Sequence, residues 1–161
     1  MPSQKTSRAA LLFGAAVLCL PTAVQAQDVR VTVVTVLATD KNTDVDPKLK
    51  DLKREVMSRE PTLTGYRIGK TGHRDINVGQ KQAIKLFDDK DYSTDVTLVA
   101  KDDTRKRVTI EVKAPLVGAI RYDTVYDKFF PIVTPAVVDG ERLIIAYMVK
   151  PAGKTGKPAG P

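Results

Sequence analysis

Apolar and polar residues alternate through most of this chain, and alternation with a period of two is the pattern of a β-strand. The pattern is densest in the segment Asp28 to Ala38, DVRVTVVTVLA, where valine and threonine dominate. β-Branched residues favour a pleated backbone, and here the apolar run is almost continuous. The segment is therefore predicted to form a central strand of a sheet.

One stretch follows the helical period instead. After a polar connection over Thr39 to Asp46, Asp46 stands as an N-cap with Pro47 at the first helical position, and Pro61 ends the pattern. Apolar residues occur at helical spacing at Leu49, Leu52 and Val56. The pattern predicts one amphipathic helix of about three turns.

Beyond Pro61 the period of two returns and persists almost to the end of the chain. Two alternating apolar sets on either side of Asp102-Asp103-Thr104 predict a β-hairpin with one solvated face. The sets are Val96, Leu98 and Ala100 before the turn, and Val108, Ile110 and Val112 after it.

A second hairpin is indicated by Asp139-Gly140, which lies between the apolar segments PIVTPAVV and ERLIIAYMV. An Asp-Gly pair between alternating segments is a strong hairpin signal. Pro131 and Pro135 place the first of these strands at a sheet edge or a bulge, because proline has no N–H for the ladder.

These patterns predict an α+β fold, with one amphipathic helix packed on a mainly antiparallel β-sheet or a small β-sandwich. Period-two segments joined by short turns favour this arrangement over alternating β and α units. Residues 27–150 are expected to form a single domain. The last residues, 151–161, are predicted to be a disordered tail, since PAGKTGKPAGP contains no large apolar group.

The first 26 residues have the features of a cleaved signal peptide. Lys5 and Arg8 precede an apolar run over Ala9 to Leu20, and the segment ends at Val24-Gln25-Ala26 with a small residue suited to signal peptidase. Export to the periplasm or beyond, with cleavage near Ala26, is therefore expected. The apolar run is shorter than the roughly 20 residues of a membrane-spanning helix, and no transmembrane span is predicted.

Removal of this signal changes the composition in two ways. Of the 161 residues, 135 remain, and the only cysteine, Cys19, is lost, which excludes disulfides and a thiol nucleophile. The bulky Leu18 before Cys19 argues against lipid attachment. The formal charge falls from +7 to +5, because Lys5 and Arg8 leave without an acidic residue. A basic surface of this kind favours anionic polymers or lipid headgroups.

The segment Thr64 to His73, TGYRIGKTGH, contains the Gly-Lys-Thr string of a phosphate-binding loop. Such a loop needs four residues between its first glycine and that string, whereas Gly65 and Gly69 are separated by three. No helical pattern follows Thr71. We therefore predict a strand with one half-buried face that runs into a turn, and no bound nucleotide.

Two acidic segments have spacings related to those of calcium loops. Asp40 to Asp51 presents oxygen-bearing side chains at suitable intervals, but Val45 occupies the position that requires glycine for the turn. DDKDYSTD has the same defect, with Thr94 in place of glycine. The first segment is therefore predicted to be a polar connection with Asp46 as a helix cap, the second a solvated loop, and no metal or other cofactor is assigned.

His73 is the only histidine, and it is interpreted as a turn residue, because no nucleophile or orienting carboxylate can be paired with it. One histidine excludes a site with several histidine ligands. An exported hydrolase built on a carboxylate pair stays open as an alternative, since such a pair is made in space and not in sequence.

A candidate binding surface combines basic and aromatic residues, a combination typical of surfaces that bind nucleic acids or glycans. The basic residues surround the first hairpin turn and the aromatic residues follow it. The candidate residues are Lys101, Arg105, Lys106, Arg107, Tyr122, Tyr126, Phe129 and Phe130. The structural alternative is a solvated turn beside aromatic residues that pack in the core.

The order of VLATDKNTDVDPKL, TGYRI and ERLIIAYMVKP resembles a loose set of small exported bacterial proteins of uncharacterised function. In both, an opening strand ends in Leu-Ala, an Asp-Pro helix follows, and an apolar strand closes the chain. The resemblance implies no activity and no site residues.

The leading functional hypothesis is a non-catalytic exported protein that acts by surface contact with anionic envelope polymer or with another exported protein. It rests on the export signal, the basic charge and the lack of a recognisable catalytic set. The alternative is an exported hydrolase whose site is not recognisable from sequence.

Overall fold

The computed structural model describes residues 29–152, which are mainly β. The predicted signal peptide, residues 1–26, and most of the predicted tail lie outside the described residues. One short α-helix, α1 (Lys50–Met57), follows a 3₁₀ turn over Pro47–Leu49. The strands of this part are β1 (Val29–Thr39), β2 (Gly65–Ile76), β3 (Lys81–Lys85), β4 (Ser93–Asp102), β5 (Arg107–Ala114), β6 (Gly118–Val125), β7 (Phe129–Val138) and β8 (Glu141–Pro151).

The strands form two four-stranded sheets in which every neighbouring pair is antiparallel. One sheet has the order β2-β1-β8-β7 and the other the order β3-β4-β5-β6. Buried residues from both sheets belong to one hydrophobic cluster, so the sheets pack face to face. The prediction of mainly antiparallel β-structure is confirmed, with the short helix in contact with β7.

The strands β1 and β8 are adjacent at the centre of the first sheet, and both are buried on both faces. Val31 and Ile145 belong to the cluster between the sheets, whereas Val36 and Ile144 belong to a second cluster under the helix. Two-sided burial explains why the sequence of β1 is almost continuously apolar. The prediction of a central strand is confirmed.

The helix begins as predicted, and the 3₁₀ turn and α1 together span 11 residues, about the predicted three turns. Asp46 is the N-cap and accepts a hydrogen bond from the Lys48 N–H at 2.9 Å, directly before Pro47. Leu49, at φ −100° and ψ 4°, separates the 3₁₀ turn from the eight α-helical residues. Leu52 and Val56 face the outer side of the first sheet, as their spacing predicts.

Both predicted hairpins are present. β4 and β5 pair across the turn that follows Asp102, and β7 and β8 pair across Asp139-Gly140. Asp139 and Gly140 have φ values of 52° and 81°, as a two-residue turn with a left-handed backbone requires. β7, which contains both prolines, lies at a sheet edge and has an irregular register, as predicted.

Three local predictions were wrong. β2 does not turn near Gly69 but continues to Ile76, because β1 supplies ladder partners along the whole length of β2. His73 is therefore a strand residue opposite Thr32 and not a turn residue. Ala100 is exposed, because a register shift after Leu98 breaks the alternation. Pro151, which the prediction assigned to the tail, belongs to β8 and pairs with Val29.

A buried polar contact joins the two sheets. The hydroxyl groups of Thr94 on β4 and Tyr147 on β8 lie 2.7 Å apart, and the Thr94 hydroxyl also donates to the Lys113 carbonyl oxygen at 3.1 Å. Tyr147 is fully buried, and this burial raises the pKa of its phenol above the usual value. The folded state therefore retains the phenol proton more strongly than the unfolded state does.

We expect Tyr147→Phe to reduce the alkaline sensitivity of the fold. A phenol whose pKa is raised on folding contributes stability below its unfolded pKa, about 10, and loses that contribution as the pH rises further. The wild type should therefore be more stable at neutral pH, by about 0.5 to 1.5 kcal/mol for the lost hydrogen bond. Its advantage should shrink above about pH 10. Urea denaturation of both proteins across this range measures the difference, and a constant difference contradicts the expectation.

Candidate functional site

The four basic candidates lie around the turn between β4 and β5, and all are exposed. We call Lys101, Arg105, Lys106 and Arg107 the basic turn. The Lys101 Nζ lies 3.2 Å from an Asp103 carboxylate oxygen, and the Arg105 Nε lies 3.7 Å from one of Asp102. Within residues 29–152, Lys106 and Arg107 are in no ion pair. Two of the four basic residues thus remain available to an anionic partner.

Tyr126 connects this turn to the core. Its hydroxyl donates to Asp103 Oδ1 at 2.8 Å, its backbone N–H donates to the Lys106 carbonyl oxygen at 3.1 Å, and its ring packs against the cluster between the sheets. Lys106 has a φ of 52°, a left-handed conformation that the turn imposes on a non-glycine residue. The basic turn is therefore held in a defined conformation.

Tyr122 and Phe130 lie elsewhere, in a stack of three aromatic rings. The Tyr122 and Phe130 centroids are 4.4 Å apart with 21° between the planes, and the Phe130 and Tyr147 centroids are 5.2 Å apart with 16°. Phe130 is buried, whereas Tyr122 is 38% exposed. The stack leads from the core to the surface between the adjacent sheet edges β6 and β7.

An apolar groove, the edge groove, surrounds the outer end of this stack. Its volume is 310 Å³, and the helix end supplies its only charged rim residues among the described residues, Glu55, Arg59 and Glu60. Its other lining residues are Val117, Ile120, Tyr122, Phe130, Pro131, Ile132 and Val133. The alternation in GAIRYDTV is the sequence signal that Ile120 and Tyr122 share one face.

Phe129, the remaining candidate, points to the opposite face of the first sheet. It is 36% exposed and lines a groove of 620 Å³ between α1 and that sheet, which we call the helix groove. Three carboxylates line this groove, and each is ion-paired with a neighbour. The pairs are Asp51 with Arg54, Glu55 with Arg59 at 3.7 Å, and Asp127 with Lys150 at 3.6 Å.

The eight candidate residues therefore fall on three surfaces. Tyr126 joins the four basic residues at the basic turn, Tyr122 and Phe130 form the aromatic stack, and Phe129 lines the helix groove. Strand parity decides this division, because Phe129 and Phe130 are neighbours in sequence and point to opposite faces of β7.

The acidic segments are engaged in local contacts. In the first segment, Asp46 caps the helix, and Asn42 Oδ1 accepts from the Asp44 N–H at 3.1 Å. In the second, Asp88 pairs with Lys70, and Asp95 pairs with Lys81 at 2.7 Å. Across residues 29–152, no group of three or more histidine, cysteine, aspartate or glutamate side chains has a geometry suited to a metal ion.

His73 is exposed on β2, next to a charged pair on the same face. The Arg30 guanidinium donates two hydrogen bonds to the Asp75 carboxylate, at 2.7 and 2.9 Å. This pairing lowers the pKa of Asp75 and raises that of Arg30. The pair connects β1 to β2 across the sheet.

Comparisons with protein families, with curated proteins and with solved structures find no match for this chain. In the part that the structure describes, no helix has the length and apolar character needed to cross a membrane.

We expect Asp46 to act as a helix cap and not as a calcium ligand. Asp46→Ala removes the acceptor for the Lys48 N–H and should cost about 0.5 to 2 kcal/mol of stability. Thermal melts should show this loss equally in calcium and in chelator, and the two wild-type melts should superimpose. An Asp40→Ala, Asp44→Ala double variant is the control. A calcium-dependent rise in Tm that disappears in this variant contradicts the prediction.

Proposed function

We propose that this protein is exported and non-catalytic, and that it binds anionic envelope material or another exported protein through the basic turn. The observation that carries the proposal is the state of Lys106 and Arg107. Both are exposed, and neither is paired with an acidic residue in the described part of the chain. A partner with phosphate or carboxylate groups can form ion pairs with these two side chains without breaking an internal ion pair.

The rigidity of the turn supports the same function. Tyr126 ties the turn to the core through Asp103 and the Lys106 carbonyl oxygen. A preorganised turn loses less conformational entropy on binding than a flexible one does. The charge of +5 that remains without residues 1–26 adds a general attraction for anionic surfaces.

A hydrolase remains the second candidate function, and the volume of the helix groove is the observation in its favour. A volume of 620 Å³ falls within the range of small-molecule sites. The ion pairs of its three carboxylates weigh against a catalytic role, because a general acid or base must be free to exchange a proton. Surface binding is therefore the function that the geometry supports better.

We expect binding of the purified chain to isolated envelope fragments to weaken with salt and to depend on the basic turn. Cosedimentation at about 0.1 M and about 1 M salt measures the first effect, since screening shortens the range of exposed charges. Lys106→Gln with Arg107→Gln should lower the affinity by roughly tenfold or more, because each basic residue near an anionic surface contributes about 1 kcal/mol.

The matched control is Lys41→Gln with Lys50→Gln. It removes the same charge from two other exposed lysines, one in the connection after β1 and one on α1. The control should retain most of the wild-type binding. Equal losses of affinity in the two double variants would show that net charge, and not the basic turn, accounts for binding. Binding that does not change with salt would also contradict the proposal.

A further inference from the structure

The strand β6 is an open sheet edge without the proline, register shift or short length that protects the other edges. It lies at the end of its sheet and pairs with β5 in unbroken register from Gly118 to Val125. Its sequence, GAIRYDTV, contains no proline and no lysine. Exposed edge strands of this kind are templates for a further strand.

The other three sheet edges are each protected. β7 carries Pro131 and Pro135 together with a register irregularity, and β3 is short, with lysine at both ends. β2 has a register shift and lies against β3, so closely that a Cβ on Gly72 would approach the Ile84 side chain to 3.2 Å. The contrast singles out β6 as the edge suited to pairing.

The backbone groups that β6 presents outward follow from its pairing with β5. The Tyr126 N–H donates to the Lys106 carbonyl oxygen, and this pair continues the β5–β6 register. Hydrogen-bonded pairs alternate along an antiparallel ladder. Even-numbered residues of β6 therefore bond to β5, and the odd-numbered ones direct their N–H and C=O groups to the open side. These are Ala119, Arg121, Asp123 and Val125.

The charges on β6 are complementary to those of a second copy in one register. When Tyr122 lies opposite itself in an antiparallel pair, Arg121 of each copy lies opposite Asp123 of the other. A shift by two residues instead places Arg121 opposite Arg121, or Asp123 opposite Asp123, and like charges in these positions are destabilising. A shift by one residue would reverse the inner and outer faces.

The register centred on Tyr122 also matches the outward backbone hydrogen-bonding groups of β6 and its apolar face. Arg121 and Asp123 are both odd-numbered, so they exchange backbone hydrogen bonds, and Tyr122 occupies the closer, non-hydrogen-bonded pair. Tyr122, 38% exposed, and Ile120 line the edge groove, so a second copy brings apolar surface to apolar surface. Arg121 and Asp123 keep their internal partners, Glu111 and Thr109, on the outer face.

We propose that this protein forms a two-fold symmetric dimer in which β6 pairs with β6 of a second copy in the register centred on Tyr122. The β3-β4-β5-β6 sheets of the two copies then form one continuous eight-stranded sheet. The interface is isologous, as in most homodimers. A single strand pair is a small interface, so the dimer depends on protein concentration.

Sedimentation velocity of the purified chain across the micromolar range tests the proposal. The wild type should pass from monomer to dimer. Arg121→Asp and Asp123→Arg should each weaken dimerisation by about tenfold or more, because each brings like charges together at two symmetric positions. The double variant exchanges the two charges and should restore dimerisation. A far-UV spectrum and a melt at low concentration confirm that each variant is folded.

Two results overturn the proposal. One is a monomer at every concentration, which leaves the edge open to an extended segment of another protein. The other is a dimer that the single variants do not weaken.

Cross-linking tests the register without altering charge. In a Cys19→Ser background, Tyr122→Cys should form an intermolecular disulfide, because residues on the two-fold axis have Cα atoms about 4.5 Å apart, within disulfide range. Ile120→Cys is the control, since residue 120 lies opposite Thr124 of the second copy. Efficient cross-linking of the Tyr122→Cys variant alone supports the register. Equal cross-linking of both variants, or none, contradicts it.

Discussion

Burial of β1 and β8 on both faces is the constraint on which the rest of the structure depends. Two adjacent strands without a solvated face need one apolar layer on each side. The second sheet supplies one layer, and α1 with its flanking residues supplies the other. The helix is therefore part of the core structure, although it contains only eight α-helical residues.

The same constraint determines where the candidate surfaces lie. The helix covers part of the outer face of the first sheet, and the remainder forms the floor of the helix groove at Val34 and Ala146. The basic turn and the edge groove lie at a hairpin turn and at sheet edges, outside the two strands that are buried on both faces. Loops and edges are the usual locations of binding residues on a rigid scaffold. The basic turn and β6 follow this rule.

The sequence predicted those features that depend on local chemistry. The Asp46-Pro47 helix start, the Asp139-Gly140 hairpin and the edge position of β7 each follow from backbone preferences of single residues. The continuation of β2 past Gly69 did not, because its polar residues need only a ladder partner, which β1 supplies from a distant part of the chain.

The candidate site shows the same division. The sequence identified exposed cations at the basic turn, since a charged hairpin turn is a local pattern. It did not separate Phe129 from Phe130, because their division between a surface groove and the core depends on strand direction and on packing between sheets. Alternation in β6 places Ile120 on the face of Tyr122, but Val117, which lies before the strand and also lines the edge groove, carries no such local signal.

The first and last strands of the described chain are partners, with Val29 opposite Pro151. Contacts between such distant segments slow folding, because a long loop must close before the contact is made. Until β8 has been synthesised, the valines of β1 have no second strand beside them and no complete apolar layer. The ladder of this sheet is therefore completed only when β8 is available to pair with β1. Until that ladder is complete, the valine-rich strand β1 exposes apolar side chains, and exposed apolar strands in an incomplete sheet are prone to aggregation.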